Sequence, residues 1–140
     1  MYQVKNSEFA ARVRRIWDEA PFIVHLGMTL LQVEPGRCES ALTLRPEHLQ
    51  QDGVVHAGVI STLADHTAGA AAGTLMDMRQ IVLTSEFKLH LLRPARGRLT
   101  CTATVLKPGR MFSIVEAEVR AAEALVAKFI GTLAIVEAVP

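Results

Sequence analysis

The residues of this chain that could do chemistry fall within one apolar stretch. Between Val54 and Met76 the only formal charge is Asp65, with His66 beside it and His56 nine positions earlier, directly ahead of Ala57 and Gly58. An ionised carboxylate buried without a partner is costly, and a leucine there would serve folding better. The residues alone leave two explanations open. Asp65 either holds a neighbouring backbone group or an arginine such as Arg93, or it works as a general base or nucleophile in a cleft. His66 points about 100° away around a helix, which assigns it to structure rather than to the site. The two cysteines, Cys38 and Cys101, have neither CxxC spacing nor a companion histidine pattern, so they read as reduced core thiols and no metal site is expected. No GxSxG, P-loop or GxGxxG string occurs, which removes support for serine-hydrolase and nucleotide-phosphate chemistry.

The elements that must position these residues can be read from periodicity. HAGVISTLADHTAGAAAGTLM (56–76) runs for about five helical turns with apolar residues on nearly every face, so it should be surrounded by protein, with Asp65 enclosed against a sheet. Ahead of it, Phe9, Val13, Ile16 and Trp17 fall at helical spacing within 7–20, with Ser7 as N-cap and Pro21 closing the segment. GMTLLQVE and CESALTLR flank Pro35-Gly36, a hairpin signature. Four strands follow from Ile81: IVLTSEFKLHLL, RLTCTATVLK, MFSIVEAEVR and ALVAKFIGTLAIV, with turns at Lys107–Arg110 and Ala121–Ala124. Alternation is clearest in Thr100–Val105 and Ser113–Val119. The order predicts an α+β domain over 1–140: an added N-terminal helix (1–21), then a core (26–140) in which a hairpin, a long central helix and a four-strand meander form a curved antiparallel sheet around that helix.

Composition narrows the partners. Half of the residues are hydrophobic and aromatics are scarce, so the core should be built of small and branched aliphatics packed closely around the helix. A net charge of +1 gives no bulk attraction for nucleic acid. The 54–76 stretch is not expected to span a membrane, because an aspartate at a bilayer centre costs roughly 3 kcal/mol and alanines offset little of it. MYQVKNSEFAARVRRIW carries charges throughout and lacks an apolar signal core, so the expected location is cytoplasmic.

DGVVHAGVISTLAD (52–65), with its HxG turn ahead of a helix and its aspartate nine residues after the histidine, resembles the phenylacetate-pathway (PaaI-like) branch of hotdog-fold thioesterases. LLRPARGRL, LKPGRM and FIGTLAI are similar to later strand signatures of that branch, so the resemblance covers residues 26 to the end. It implies an acyl-CoA thioesterase that needs no cofactor and acts on an aryl- or medium-chain thioester. In this role the Ala57 amide polarises the thioester carbonyl, and Asp65 attacks or activates water. Gln50 and Thr84 stand where the family places groups that orient water or thioester, and His56 stabilises the helix start. Ala57 and Asp65 are about 12 Å apart along one helix. One carbonyl cannot touch both, so the resemblance implies a homo-oligomer with Ala57 of one copy facing Asp65 of another, as a dimer or a dimer of dimers.

Coenzyme A phosphates would suit the basic region of Lys88, Arg93, Arg96, Arg98, Lys107 and Arg110, with Arg110 the foremost choice and Gly58, Lys107 and Gly109 beside it as expected contacts. Two departures from the family pattern stand out. His56-Ala57-Gly58 replaces the usual His-Gly-Gly, adding a methyl where the thioester must approach, and Gln50 replaces a shorter asparagine. The alternative reading is a hotdog protein that binds acyl-CoA without hydrolysing it, as a ligand sensor.

Overall fold

The computed structural model describes residues 2–139. The chain begins with α1 (Phe9–Glu19) and α2 (Pro21–Leu26), followed by the hairpin β1 (Thr29–Glu34) and β2 (Arg37–Thr43). After a 3-10 turn at Pro46–His48 come the long helix α3 (Ala57–Gly73) and strands β3 (Gln80–Leu91), β4 (Arg98–Lys107), β5 (Phe112–Ala121) and β6 (Ala124–Glu137). The six strands form one antiparallel sheet in the order β1-β2-β4-β5-β6-β3, with α3 lying along one face. This is the expected α+β hotdog arrangement with an added N-terminal helical segment.

Alternation dictates which side chains meet α3. In β4, Leu99, Cys101, Ala103 and Val105 point inward, and in β5 Ser113, Val115, Ala117 and Val119 do the same. The helix answers with Leu63, Ala64, Ala68 and Ala71, all fully buried. Three of these four are alanines, which lets the helix backbone approach the sheet closely without voids. Thr67, the polar member of that face, donates to Leu63 O (2.6 Å) and exchanges a 2.6 Å hydrogen bond with Ser40 Oγ, so its burial leaves no unsatisfied hydroxyl. Both cysteines are free and buried in this core, and burial pushes each thiol up to about 12. Pro35-Gly36 makes the β1–β2 turn, where Gly36 takes φ +75° and a Cβ would sit 2.5 Å from the Tyr2 ring.

Three expectations need correction. The last four strands are not one meander: only β4-β5-β6 run consecutively, while β3 pairs with β6 at the sheet edge and β4 pairs with β2. Alternation marks a strand but not its neighbour. The 92–97 connection carries the chain past the segment that leads into α3, bonding through Val55 N–Ala95 O (3.0 Å) and Leu44 N–Gly97 O (2.7 Å). Pro21 does not simply close the first helix. It opens α2 as its first residue, a position where its missing N–H has no helical acceptor to lose. The first helix is not capped by Ser7; its N-cap is Glu8, whose N–H is taken by Asn6 Oδ1 at 2.9 Å.

Candidate functional site

α3 starts sharply because His56, in extended conformation, accepts the Gly58 N–H on Nδ1 at 2.8 Å. His56 is thereby an N-cap, satisfying one of the helix's orphan donors. The next N–H groups, of Val59 and Ile60, are taken by His56 O (3.0 and 3.4 Å). Ala57, at the first helical position, is exposed. Its N–H has no acceptor among the described residues, as expected of the first turn, so a donor on the positive end of the helix dipole faces outward. Gly58 is exposed beside it.

Two turns on, Asp65 departs from its expected place. It is not enclosed by the sheet. The sheet-side face of α3 is Val59, Ile60, Leu63, Ala64, Thr67, Ala68, Ala71 and Ala72, while Ser61, Thr62, Asp65, His66, Gly69 and Ala70 form a half-open face between α1 and β3. A helix apolar all round gives no sequence signal for which face the sheet takes. Nor does Asp65 pair with Arg93. Its Oδ1 accepts a 2.7 Å hydrogen bond from Thr84 Oγ1 on β3, and no cation among the described residues forms an ion pair with it. Burial pushes this carboxyl above its ordinary value, with the Thr84 hydrogen bond pulling the other way. Such a carboxylate is more basic than a solvated one and is oriented by a hydroxyl, the state required of a base or nucleophile at neutral pH.

Asp65 stands where two clefts meet. One, of ≈ 440 Å³, runs between α1, the second half of α3 and Gln80–Thr84 of β3; the other, also ≈ 440 Å³, lies toward α2, Ser61, Thr62 and Phe87. His66, set aside from the sequence, lines both clefts. Its ring packs at 4.6 Å between centroids against Trp17, whose indole N–H is held by Met28 O (3.1 Å), and burial lowers the imidazole to about 4. It stays neutral there at physiological pH. The sequence signal that could have found this wall was the pairing of α1's apolar stripe with the small residues Gly69 and Gly73, four and eight positions after Asp65.

The remaining expected residues are not gathered round Asp65. Gln50 is occupied within its own loop, its Oε1 accepting the Asp52 N–H and its Nε2 donating to Asp52 Oδ2 at 3.4 Å. That loop is closed by Gln50 N–Val54 O (2.8 Å) and tied to Arg96, which donates to Asp52 O at 3.3 Å. Lys107, Gly109 and Arg110 occupy the β4–β5 turn. Phe112 and Ser113, which follow it, pair through Ala134 and Leu133 with Leu83 and Thr84, so the turn lies at that end of the sheet, two strands or roughly 10 Å from Thr84. Lys107 and Arg110 are exposed. Gly109 has a reason of its own, since a Cβ there would stand 2.1 Å from Phe112 O. Lys88 on β3, Arg93 just after it and Arg98 at the start of β4 are exposed. No cluster of metal-binding residues occurs among the described residues, and no described helix is long and apolar enough to cross a membrane.

Comparison with known proteins supports the fold and identifies relatives. Residues 52–128 match the family model described as "Thioesterase superfamily". A protein of Saccharolobus solfataricus, named as an inferred esterase, is 34% identical over 109 residues, 76% of this chain and 77% of its own length. The 1,4-dihydroxy-2-naphthoyl-CoA hydrolase of Listeria monocytogenes is 27% identical over 95 residues, 67% of this chain and 77% of its own. Among solved structures, a thioesterase family protein from Silicibacter pomeroyi superposes with TM-score 0.89 at 34% identity, covering 92% of this chain and 98% of that one. The Escherichia coli PaaI protein of the phenylacetic acid degradation operon shares the fold, with TM-score 0.86 at 19% identity over 94% and 95% of the two chains.

Proposed function

The chain belongs to the thioesterase superfamily and is a thioester hydrolase, and from that premise we propose that it cleaves aryl- or medium-chain acyl-CoA to free acid and CoA, with Asp65 as nucleophile or general base. The observation that carries this reading is the 2.7 Å contact of Thr84 Oγ1 with an Asp65 carboxylate that stands at the junction of two clefts. Thr84 fixes one carboxylate oxygen and leaves the other for water or for the thioester carbon. The outward Ala57 N–H supplies the oxyanion donor, where the helix terminus favours developing negative charge.

Ala57 and Asp65 belong to one unbroken helix, separated by eight residues or about 12 Å, so a single carbonyl reaches both only if Ala57 comes from a second copy. The outer edge of β3 supports such a pairing. It is a 12-residue edge strand with exposed Leu83, Phe87 and Leu91, the kind of edge that proteins cover rather than leave open. Gln50, held by Asp52 in its own loop near the start of α3, would enter with that Ala57 to orient the thioester. Lys107 and Arg110 carry the CoA phosphates in this reading, and the resulting homo-oligomer works as a cytoplasmic enzyme.

Thiol release from phenylacetyl-, benzoyl-, hexanoyl- and palmitoyl-CoA tests the activity. Tight binding with no release would favour the sensor reading, which the added Ala57 methyl alone recommends. The composite site has a sharper test. Ala57→Pro removes the donor at a position where proline suits the helix and where His56 already has extended backbone (φ −67°, ψ 138°). Mixing inactive Ala57→Pro and Asp65→Asn subunits should restore up to about a quarter of wild-type turnover, because each hybrid dimer regains one intact site. No restoration despite subunit exchange would contradict a shared site.

A further inference from the structure

The cleft on the α1 side of Asp65 has walls that agree in length. From Asp65 to Gly73, α3 advances eight residues, about 12 Å. From Thr84 back to Gln80, β3 covers four residues, about 13 Å. The two walls meet at Asp65 and Thr84 through their hydrogen bond and run side by side to the far end, where Met76 and Gln80 line the cleft. α1 forms the roof with Val13, Ile16 and Trp17. At the far end Arg12 donates to Asp77 O (2.8 Å) and to Gln80 O, fastening α1 to the α3–β3 connection. The cleft therefore runs from the carboxylate to the Arg12 contacts, about 12 Å away.

We propose that this cleft is the acyl subsite and that α1, latched by Arg12, is its length gauge, admitting aryl and medium-length acyl groups and turning away long chains. The inference rests on the thioesterase reading above. Its volume of ≈ 440 Å³ lies in the range of small-molecule sites, and its lining is largely aliphatic and aromatic. The neutral His66 ring adds no charge to it. Gly69 and Gly73 keep the α3 wall low: a Cβ on Gly69 would meet nothing nearer than Leu133 at 4.0 Å, and one on Gly73 only Val13 at 3.7 Å. The roof lies outside the segment matched by the superfamily model, as do β1 and β2. Ile81, Val82 and Leu83 of β3 line the α1-side cleft, whereas Phe87 is the one β3 residue lining the cleft toward α2, so the α1 side offers the longer apolar wall.

The test is kcat/KM for thiol release from butyryl-, octanoyl-, palmitoyl- and phenylacetyl-CoA by the wild type and two variants, with Asp65→Asn as control. Gly69→Leu fills the cleft beside the carboxylate and should lower the octanoyl-to-butyryl ratio by roughly tenfold or more, the discrimination one excluded methylene commands in an apolar pocket. Arg12→Ala releases the latch and should raise the palmitoyl-to-octanoyl ratio. If Gly69→Leu does not fold, Ile16→Trp on the exposed roof (Ile16 is 47% exposed) takes its place with the same expected direction. Ratios that stay constant in the variants, while Asp65→Asn abolishes release from every substrate, would overturn the gauge and leave the thioesterase reading standing. Should the wild type release no thiol, that reading fails, and calorimetric titration of octanoyl- and palmitoyl-CoA against the same variants tests the gauge alone. Equal affinities there would overturn it too.

Discussion

The two faces of α3 are made of similar residues and do opposite things. On the sheet side, Leu63, Ala64, Ala68 and Ala71 are fully buried and the one polar group, Thr67, is satisfied by Ser40 and by Leu63 O. On the other side, Ser61, Thr62, Asp65, His66 and Gly69 are only half covered, and Asp65 is held by a single hydroxyl. The closed face contributes stability through close packing. The open face carries a carboxylate whose burial is unfavourable to its charge, which marks it as the candidate functional group. On the proposed function, stability and chemistry are separated by half a turn of one helix.

That separation can be broken from either side. Leu63→Ala should have the largest effect on stability, about 2–5 kcal/mol by chemical denaturation, because it opens a cavity in the packed face. Turnover per folded molecule should hold, and a selective loss of activity would blur the distinction between the faces. On the open face, Thr84→Val removes the hydrogen bond that favours ionised Asp65, so the carboxyl should rise further and the acid limb of the pH–rate profile should move to higher pH. A fall in kcat of roughly tenfold is expected, as for a charge-assisted hydrogen bond worth about 1.5 kcal/mol. An unmoved acid limb would detach Thr84 from the carboxylate's task.

The pH dependence of stability sharpens the comparison further. His66 titrates near 6.5 when unfolded and is lowered to about 4 by burial against Trp17, so the unfolded state binds more protons between those values. Its contribution is whole above pH 6.5 and is lost as pH falls through about 4. His66→Gln should flatten that acid loss. Asp65 has the reverse sign: its raised carboxyl makes the folded state bind more protons, so stability declines as pH rises through the folded value. Asp65→Asn should accordingly be at least as stable as the wild type at neutral pH, with the difference vanishing in acid. The smallest effect is expected of Ile16→Ala, which removes a half-exposed roof residue and should change stability by no more than about 0.5 kcal/mol.

Much of the fold was legible because its cues are local. The alternating stretches Thr100–Val105 and Ser113–Val119 are strands whose alternate residues are buried, and Ala57–Gly73 is helical within the stretch read as a long helix. Strand order was not legible, because β3 meets β6 some 40 residues away by sequence and nothing in IVLTSEFKLHLL names that partner. Asp65 stood out as a lone charge in an apolar helix, but which face it took was hidden by the even hydrophobicity of α3. Thr84 came from family resemblance alone; its contact with Asp65 spans 19 residues and depends on tertiary packing. His66 and Trp17 were each visible, one beside the carboxylate and one in an amphipathic helix, yet their tilted ring contact depends on how α1 docks.

Whether the open face of α3 performs hydrolysis through Asp65 is decided by thiol release from Asp65→Asn beside the wild type. With folding and oligomeric state checked by circular dichroism and light scattering, the variant should stay folded, keep its assembly and lose at least about a hundredfold in turnover of phenylacetyl- or octanoyl-CoA. An Asp65→Asn protein that hydrolyses these thioesters at the wild-type rate would rule out Asp65 as the hydrolytic group.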